Sequence, residues 1–415
     1  MRKHFLFLLT VLVTPFLSHG QARNPEVLIY GDGIDAYSAA IQSAKSNLHT
    51  IWVLESQDLS TSMALTTGSI LSHQDLDGGI WADLLSDVAK SQFNPQLVLN
   101  AMEQEIRQYP HLHLHYNLTI RSISKKSRWT IQLNNGLRLR VRSVVDATTT
   151  GQLAKMAKLG EMEYRTLDSA WQYSKLSPQI RTSVAVSDLQ HHHAYSLPLA
   201  AFLPLGDHNI LFTKHNPFLA KLLTGTIDDL PLLSHTGQAV GAMAAYLAFF
   251  KTTTDKIDVR QVQGELLQYG ARLIPYQDIQ HSDPNFKAIQ RIGVTNLFDY
   301  KLDSTGRVLF APELPVSTQE ISPVLNALYS RSQIWFTDNR SDSLSLSELL
   351  NLIKYIGQRG NELEGQVERL WSRNFSFTEP FDLTMTVNRR HVAVLLDEFT
   401  KPFDVRVDLQ GQVLR

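Results

Sequence analysis

Residues 27–40 run VLIYGDGIDAYSAA. The stretch opens on apolar residues as a buried strand does, then turns into a helix through Gly31, Gly33 and Ala36. Gly31-x-Gly33-x-x-Ala36 has the spacing of a dinucleotide-binding fingerprint. The first glycine permits the tight turn, the second lets a phosphate approach the backbone, and the small third residue lets helix and strand pack closely. Glu55 stands about 20 residues further on, at the end of the next strand, where an acidic residue accepts hydrogen bonds from an adenosine ribose. The same loop carries Asp32 and Asp35, negative charges where a pyrophosphate would sit. Two like charges about 5 Å apart at an effective dielectric near 20 repel by roughly 3 kcal/mol. An aspartate near a helix N-terminus also satisfies the amides that a phosphate would use, so the helix could be capped by protein instead of ligand.

Outward from this loop, residues 26–30, 36–47 and 50–54 read as strand, helix and strand, one βαβ unit. Helical apolar spacing fills 82–107, short strands follow at 111–120, 129–133 and 137–141, and 144–148 reads as another buried strand reaching a loop. Residues 154–196 show no strong period and include three adjacent histidines, His191 to His193; they are expected to form a short, mostly exposed insertion. Strands are expected at 200–203 and 209–212, and helices over about 236–250 and 259–269. Beyond Pro275 the texture changes to short helices between Asp-, Ser- and Pro-containing turns, which places a domain boundary there.

The chain has 415 residues, 43% of them hydrophobic, enough for a packed core and two or three domains. Its 39 Lys and Arg nearly cancel its 40 Asp and Glu, so bulk charge gives no reason to expect nucleic acid or an acidic membrane as partner. A basic start (Met-Arg-Lys-His), an apolar run over 5–17 and a small-residue exit make residues 1–22 an export signal, cleaved after Gly20 or Ala22. The run is too short to span a bilayer comfortably, so the mature protein is expected to be periplasmic or extracellular and not membrane-spanning. Cysteine is absent, which excludes thiolate catalysis, cysteine-ligated iron–sulfur clusters and cysteinyl flavin attachment.

Several blocks, in order, resemble exported FAD-dependent oxidoreductases of the two-dinucleotide-binding-domain type. They are the fingerprint, FNPQLVLNAMEQEI, VVDATTTGQLAKMAKLG, LPLAAFLPLGDHNILF, and LPLLSHTGQAVGAMAAYLAFF with IDVRQVQGELLQYGARL behind it. The likeness covers about residues 25–275. It implies an FAD/NAD(P)-binding, Rossmann-like α/β three-layer sandwich over 23–275, with a shortened substrate insertion at about 154–196. It also implies an FAD whose pyrophosphate lies on Gly31, Gly33 and Ala36 and whose ribose lies on Glu55. Ile120 would pass near adenine, Ala147 and Thr148 would line the strand end under the cofactor, and Gly237 and Gln238 would approach the isoalloxazine. The activity implied is oxidation of a small-molecule substrate, with carbohydrate-derived compounds among the options. Read from the residues alone, Gly237, Gly241 and Ala245 form a small-residue stripe that packs one helix on another element.

The departures from that family are specific. Ser60-Thr61-Ser62-Met63 replaces a Gly-Gly-Met loop, Thr213-Lys214-His215 stands where Ala-Gly-Arg is expected, Asp228 replaces an arginine, and Gln152 replaces an acidic residue. Together with Asp32 and Asp35 they point to a second function class, a flavin-free pseudoenzyme acting as a binding or scaffold module in the cell envelope. His111, His113 and His115 alternate along a strand about 7 Å apart, too far to grip one ion easily, so no metal site is expected. His235 is a candidate proton-handling group or a packing residue; no catalytic residue is otherwise assigned. Residues 276–415 form a helical C-terminal region. From YQDIQHSDPNFKAIQRIGVTNLF to 328 it resembles a surface-layer-homology-type repeat, with a second degenerate copy through SLSLSELLNLIKYIG to TVNRRHVAVLLDEF. Such repeats imply contact with a cell-envelope polymer or packing on the flavoprotein body.

Overall fold

A computed structural model of the chain describes residues 25–63, 77–88, 94–159, 164, 177–189, 193–206, 208–223, 225 and 229–414. The export segment at 1–22, Asp228, and His191 and His192 lie outside the described residues.

The N-terminal part alternates strands and helices: β1 (Val27–Tyr30), α1 (Ile34–Lys45), β2 (Thr50–Val53), α2 (Leu59–Met63), α3 (Gly79–Val88), α4 (Pro95–Arg107) and β3 (Leu112–His115). An antiparallel meander follows, β4 (Ile120–Lys125), β5 (Trp129–Leu133) and β6 (Arg138–Val141), then β7 (Ser143–Asp146) and α5 (Gln152–Met156). A hairpin of β8 (Ser183–Leu189) and β9 (His193–Pro198) leads to β10 (Ile210–Phe212), α6 (Pro217–Leu222), α7 (Leu230–Phe250) and α8 (Val259–Gln268). The rest is α9 (Phe286–Gly293), β11 (Lys301–Leu302), β12 (Val308–Leu309), α10 (Thr318–Leu328), α11 (Ser332–Asp338), α12 (Leu346–Gly357), α13 (Glu362–Leu370) and α14 (Arg389–Phe399).

The central sheet has the order β10-β7-β1-β2-β3, every neighbouring pair parallel. Strands covered on both faces read as continuous apolar runs, and β1, β2 and β7 are buried at every position. One face, through Ile29, Trp52 and Val145, belongs to the core shared with α1 and α7; the other, through Leu28, Tyr30, Val53 and Val144, packs on the meander. Three layers result: helices, parallel sheet, antiparallel meander. This is the FAD/NAD(P)-binding, Rossmann-like sandwich.

The small-residue stripe is where α7 meets α1. A β-carbon added at Gly237 would lie 2.2 Å from the Asp35 carbonyl oxygen, and one at Gly241 2.5 Å from that of Ala39. The helices therefore touch backbone to backbone, with Ser38 and Ser234 hydroxyls 2.9 Å apart beside the contact.

Three local expectations are corrected. Residues 199–202 form a 3-10 turn, following Pro198 and fully buried, instead of a strand. Val184 to Val186, expected in an exposed insertion for want of a strong period, are buried in the β8–β9 hairpin that packs against α7. Helix α7 also begins earlier, at Leu230, with Pro231 in its first turn, where a missing N–H costs nothing.

In the C-terminal region three helix starts share one construction. Ser317, Ser345 and Asn388 cap α10, α12 and α14 by accepting a backbone N–H three residues on. The residues before these caps bond in a closed ring: Val316 N–H to Val387 oxygen (3.2 Å), Val387 N–H to Leu344 oxygen (2.9 Å), and Leu344 N–H to Val316 oxygen (2.8 Å).

Candidate functional site at the strand ends

In open α/β sheets ligands bind outside the carboxyl ends of the strands, where the strand order reverses. Here that point lies between β1 and β7, and the fingerprint loop leaves β1 at it. Gly31 and Gly33 have φ of 126° and 111°, which a side chain would strain. A β-carbon on Gly31 would lie 2.9 Å from the carbonyl carbon of Ala147, so this glycine lets the ends of β1 and β7 cross closely. Trp52 Nε1–H donates to the Gly31 carbonyl at 2.9 Å, and Ala147 N–H to that of Tyr30 at 2.8 Å.

At Gly33 the space that a diphosphate needs holds a side chain. A β-carbon there would lie 2.8 Å from Asp35 Oδ1 and 3.6 Å from Lys214 Nζ. Asp35 is fully buried. Its Oδ2 accepts from Thr213 Oγ1 at 2.5 Å, and its Oδ1 pairs with Lys214 Nζ at 3.1 Å. The residues that depart from the family after β10 are thus the ones that hold this carboxylate. Asp32 turns aside, Oδ2 accepting from Ser56 Oγ at 2.9 Å, while its buried Oδ1 meets no partner among the described residues. Gly33 N–H donates to Ser62 Oγ at 3.3 Å, and no side chain caps α1. The first-turn amides up to Ala36, itself buried in the core, lack intrahelical acceptors as at any helix start.

The remaining positions implied for the cofactor carry protein contacts. Glu55 accepts a hydrogen bond from the Tyr30 hydroxyl, to which Gln152 Nε2 also donates, at 3.5 Å. Burial and then the Glu55 carboxylate push the Tyr30 phenol well above its ordinary value, with the Ile120 backbone acting the other way. Ile120 is buried in the core beneath the meander. Thr148 donates through its amide and hydroxyl to Asp146 Oδ1 (3.0 and 2.6 Å) and accepts from Gln152 N–H (3.0 Å). Asp146 Oδ2 accepts from Leu153 N–H at 2.7 Å, so this carboxylate caps α5; burial raises its pKa, opposed by these bonds. Gln238 is buried, its Oε1 accepting from Ile80 N–H (3.2 Å) and its Nε2 donating to Gln42 Oε1 (2.9 Å). Gly237 faces α1, and His235 is buried within α7. His215, beside Gly151, shares a hydrogen bond with the Tyr164 hydroxyl at 2.8 Å, and burial lowers its pKa.

The residues present do not fit an FAD diphosphate: the approach to the second glycine is taken by a carboxylate with its own cation, and the ribose acceptor is engaged by a tyrosine. Sequence reasoning singled out both aspartates and the Thr213–Lys214 departure; it missed that Asp35, Thr213 and Lys214 form one unit, because a contact across 178 residues leaves no spacing signal. It also missed Tyr30, which reads as one more apolar strand residue. Among the described residues no three His, Asp or Glu side chains converge to hold a metal ion, and no helix is long and apolar enough to cross a membrane.

By strand order and layering the chain belongs to the dinucleotide-binding class of α/β folds. Solved structures similar to part of it include the bacillithiol disulfide reductase of Staphylococcus aureus, with 16% identity over 35% of this chain and 42% of that chain, TM-score 0.26. Others are p-nitrophenol 4-monooxygenase of Pseudomonas putida, with 14% identity, 35% and 45% coverage and a TM-score of 0.26, and the thioredoxin reductase of T. acidophilum, with 16%, 31% and 36%, and 0.21. This chain spans less than half the length of each. Likeness at these values carries no argument, and the class rests on the strand order. No protein-family model and no curated protein matches the sequence.

Proposed function

We propose that this chain keeps the architecture of an FAD-dependent oxidoreductase without holding FAD, and that it acts as a binding or scaffold module in the cell envelope. The observation that carries the reading is the Asp35 carboxylate seated against Gly33 and neutralised by Lys214. An incoming diphosphate would have to displace Asp35 from a paired, fully buried position, and separating such a pair costs about 3–5 kcal/mol. It would then meet Asp32 in the same loop. The internal carboxylate stands in for the anion, and Lys214 for a cation that would otherwise be available to it. The export segment expected at 1–22 and a C-terminal region with three similarly capped helix starts support a place in the envelope, with polymer contact through that region.

One feature favours the competing reading, an FAD-dependent oxidoreductase with a small-molecule substrate: no side chain caps the first turn of α1. Purification separates the two. The flavin-free reading expects a colourless protein whose heat-released supernatant contains no flavin fluorescence. A yellow protein releasing stoichiometric FAD would establish the oxidoreductase reading in its place.

A further inference from the structure

Helix α7 runs beside α1 away from the fingerprint loop and ends on Phe249 and Phe250, at the amino ends of the sheet strands. Ser143 Oγ, at the start of β7, donates to the Ala244 carbonyl at 2.8 Å, and Asn209 Nδ2, just before β10, donates to that of Thr252 at 2.8 Å. Both phenylalanines face solvent, 67% and 50% exposed, and no other phenylalanine among the described residues is exposed. The Phe250 ring lies 4.9 Å from that of Phe249 and 4.6 Å from that of Tyr246, so the three make one aromatic surface. A mainly apolar cavity of about 350 Å³ extends it between α7 and α8, past Leu48, Ala245 and Val262. Leu205, also exposed, belongs to the same end, because the neighbouring Gly206 carbonyl accepts from Thr254 Oγ1 at 3.2 Å. Contiguous exposed apolar surface of this kind marks an interaction site.

The charge around this surface is positive, although the chain as a whole is near neutral. Lys251 and Lys256 follow α7 and are exposed. Trp129 Nε1–H donates to the Asn209 carbonyl at 3.1 Å, which brings the β4–β5 turn, with Lys125 over the Trp129 ring and Lys126 and Arg128 beyond it, to the same end. Arg142 stands beside Arg128, its N–H donating to the Glu26 carbonyl at 2.9 Å. These cations outnumber the acids Glu26, Asp255 and Glu265, while Asp258 is paired with Arg406 at 3.1 Å. The chain also enters the sheet here, at Pro25 before β1, so the apolar run at 5–17 is joined to this end of the molecule.

We propose that this end docks on an anionic lipid surface, with Phe249, Phe250 and Leu205 entering the boundary between headgroups and acyl chains and the basic side chains lying on lipid phosphates. Peripheral attachment strengthens with the apolar area buried and with attraction to anionic lipid, and exposed rings bordered by cations supply both. A soluble polyanion of the cell envelope would engage the cations but leave the phenylalanines in water. The inference is independent of whether flavin is held, since the fingerprint loop lies at the opposite end of the strands.

Because the chain has no cysteine, Phe249→Cys can carry a single environment-sensitive fluorophore. The control label sits on Leu137→Cys, an exposed apolar position in the β5–β6 turn at the other end of the strands. Vesicles of mixed phosphatidylglycerol and phosphatidylcholine should shift the emission of the first label to the blue and leave the second unchanged, and phosphatidylcholine alone should shift neither. In co-sedimentation with the mixed vesicles, Phe249→Ser with Phe250→Ser should weaken binding about tenfold or more, since the rings no longer leave water. Lys251→Gln with Lys256→Gln should weaken it about twentyfold, at about fivefold for each cation near an anionic surface. All four side chains are exposed, so circular dichroism should show the fold unchanged. Every comparison is between chains with the same N-terminus, so any lipid affinity of residues 5–17 cancels. No blue shift at Phe249→Cys, an equal shift of both labels, or binding unmoved by the phenylalanine substitutions would overturn the proposal. Binding that falls with the lysines alone is the pattern of a polyanion site and would overturn it equally.

Discussion

Asp35 and Lys214 form an ion pair in which one side chain has no exposure and the other 12%. Removing one partner of such a pair leaves a charge uncompensated, which costs more than the pair itself contributes. Lys214→Met should therefore destabilise the fold by about 3–5 kcal/mol in urea denaturation. Asp35→Asn in the same chain should recover most of that loss, since a neutral amide needs no cation. No recovery in the double variant would mean that Lys214 acts by packing alone.

A second residue gives a pH signature. Asp397 on α14 is held at about 6, because burial outweighs the Arg291 guanidinium 2.9 Å away. Its folded pKa lies above the unfolded value of about 4, so between these values the folded state binds more protons than the unfolded one. The stability it contributes is present at low pH and lost as pH rises from about 4 to 6. Asp397→Asn keeps the neutral form throughout. The melting temperature of the variant should gain on that of the wild type over this interval and stay ahead above it; a difference that does not change with pH would contradict the assignment.

Among the elements, α1 and α7 meet backbone to backbone. A methyl group at Gly237 would meet backbone 2.2 Å away, which no rotamer relieves. Gly237→Ala should therefore cost about 1–3 kcal/mol by forcing the helices apart. Gly264, inside α8 with open space around it, is the control, and Gly264→Ala should stabilise by about 0.5–1 kcal/mol through helix propensity. If both variants lose stability alike, the close approach is not what fixes the glycine.

How much of this was legible beforehand differs by element. The βαβ unit was, because β1 and β2 are buried on both faces and carry uninterrupted apolar runs, while Gly31 and Gly33 require a positive φ that the sequence announces. The β8–β9 hairpin was not: buried on one side by α7, it carries Ser183, Ser187 and Ser196 at buried positions, and hydroxyls mask the alternation. The same holds at the site. Local features such as the two aspartates could be read, whereas the Asp35–Thr213–Lys214 unit and the Tyr30–Glu55 pair are products of strand order.

Across the whole molecule, one hydrophobic core runs from the sheet's helix side into the C-terminal helices. Its polar joints are buried. Arg272 donates to the Asp77, Tyr276 and Ile279 carbonyls. Gln290 on α9 accepts from Leu273 and Ile274 N–H (2.7 and 2.8 Å) and donates to the Ile274 carbonyl. Gln290→Leu would strand two buried amides and should cost about 3 kcal/mol or more. Because the core is continuous, the variant should melt in one transition at a lower temperature. A separate early transition of the C-terminal helices would show that the joint does not couple the two parts.

The central claim, that a side chain has taken the place of the cofactor's diphosphate, is tested most directly by titrating FAD into wild-type protein and into the Asp32→Gly, Asp35→Ala variant, following flavin fluorescence. The account predicts no saturable binding by the wild type and a gain of saturable binding by the variant, whose loop has lost both carboxylates and whose Lys214 is free to meet phosphate. Saturable, stoichiometric binding of FAD by the wild type would contradict it.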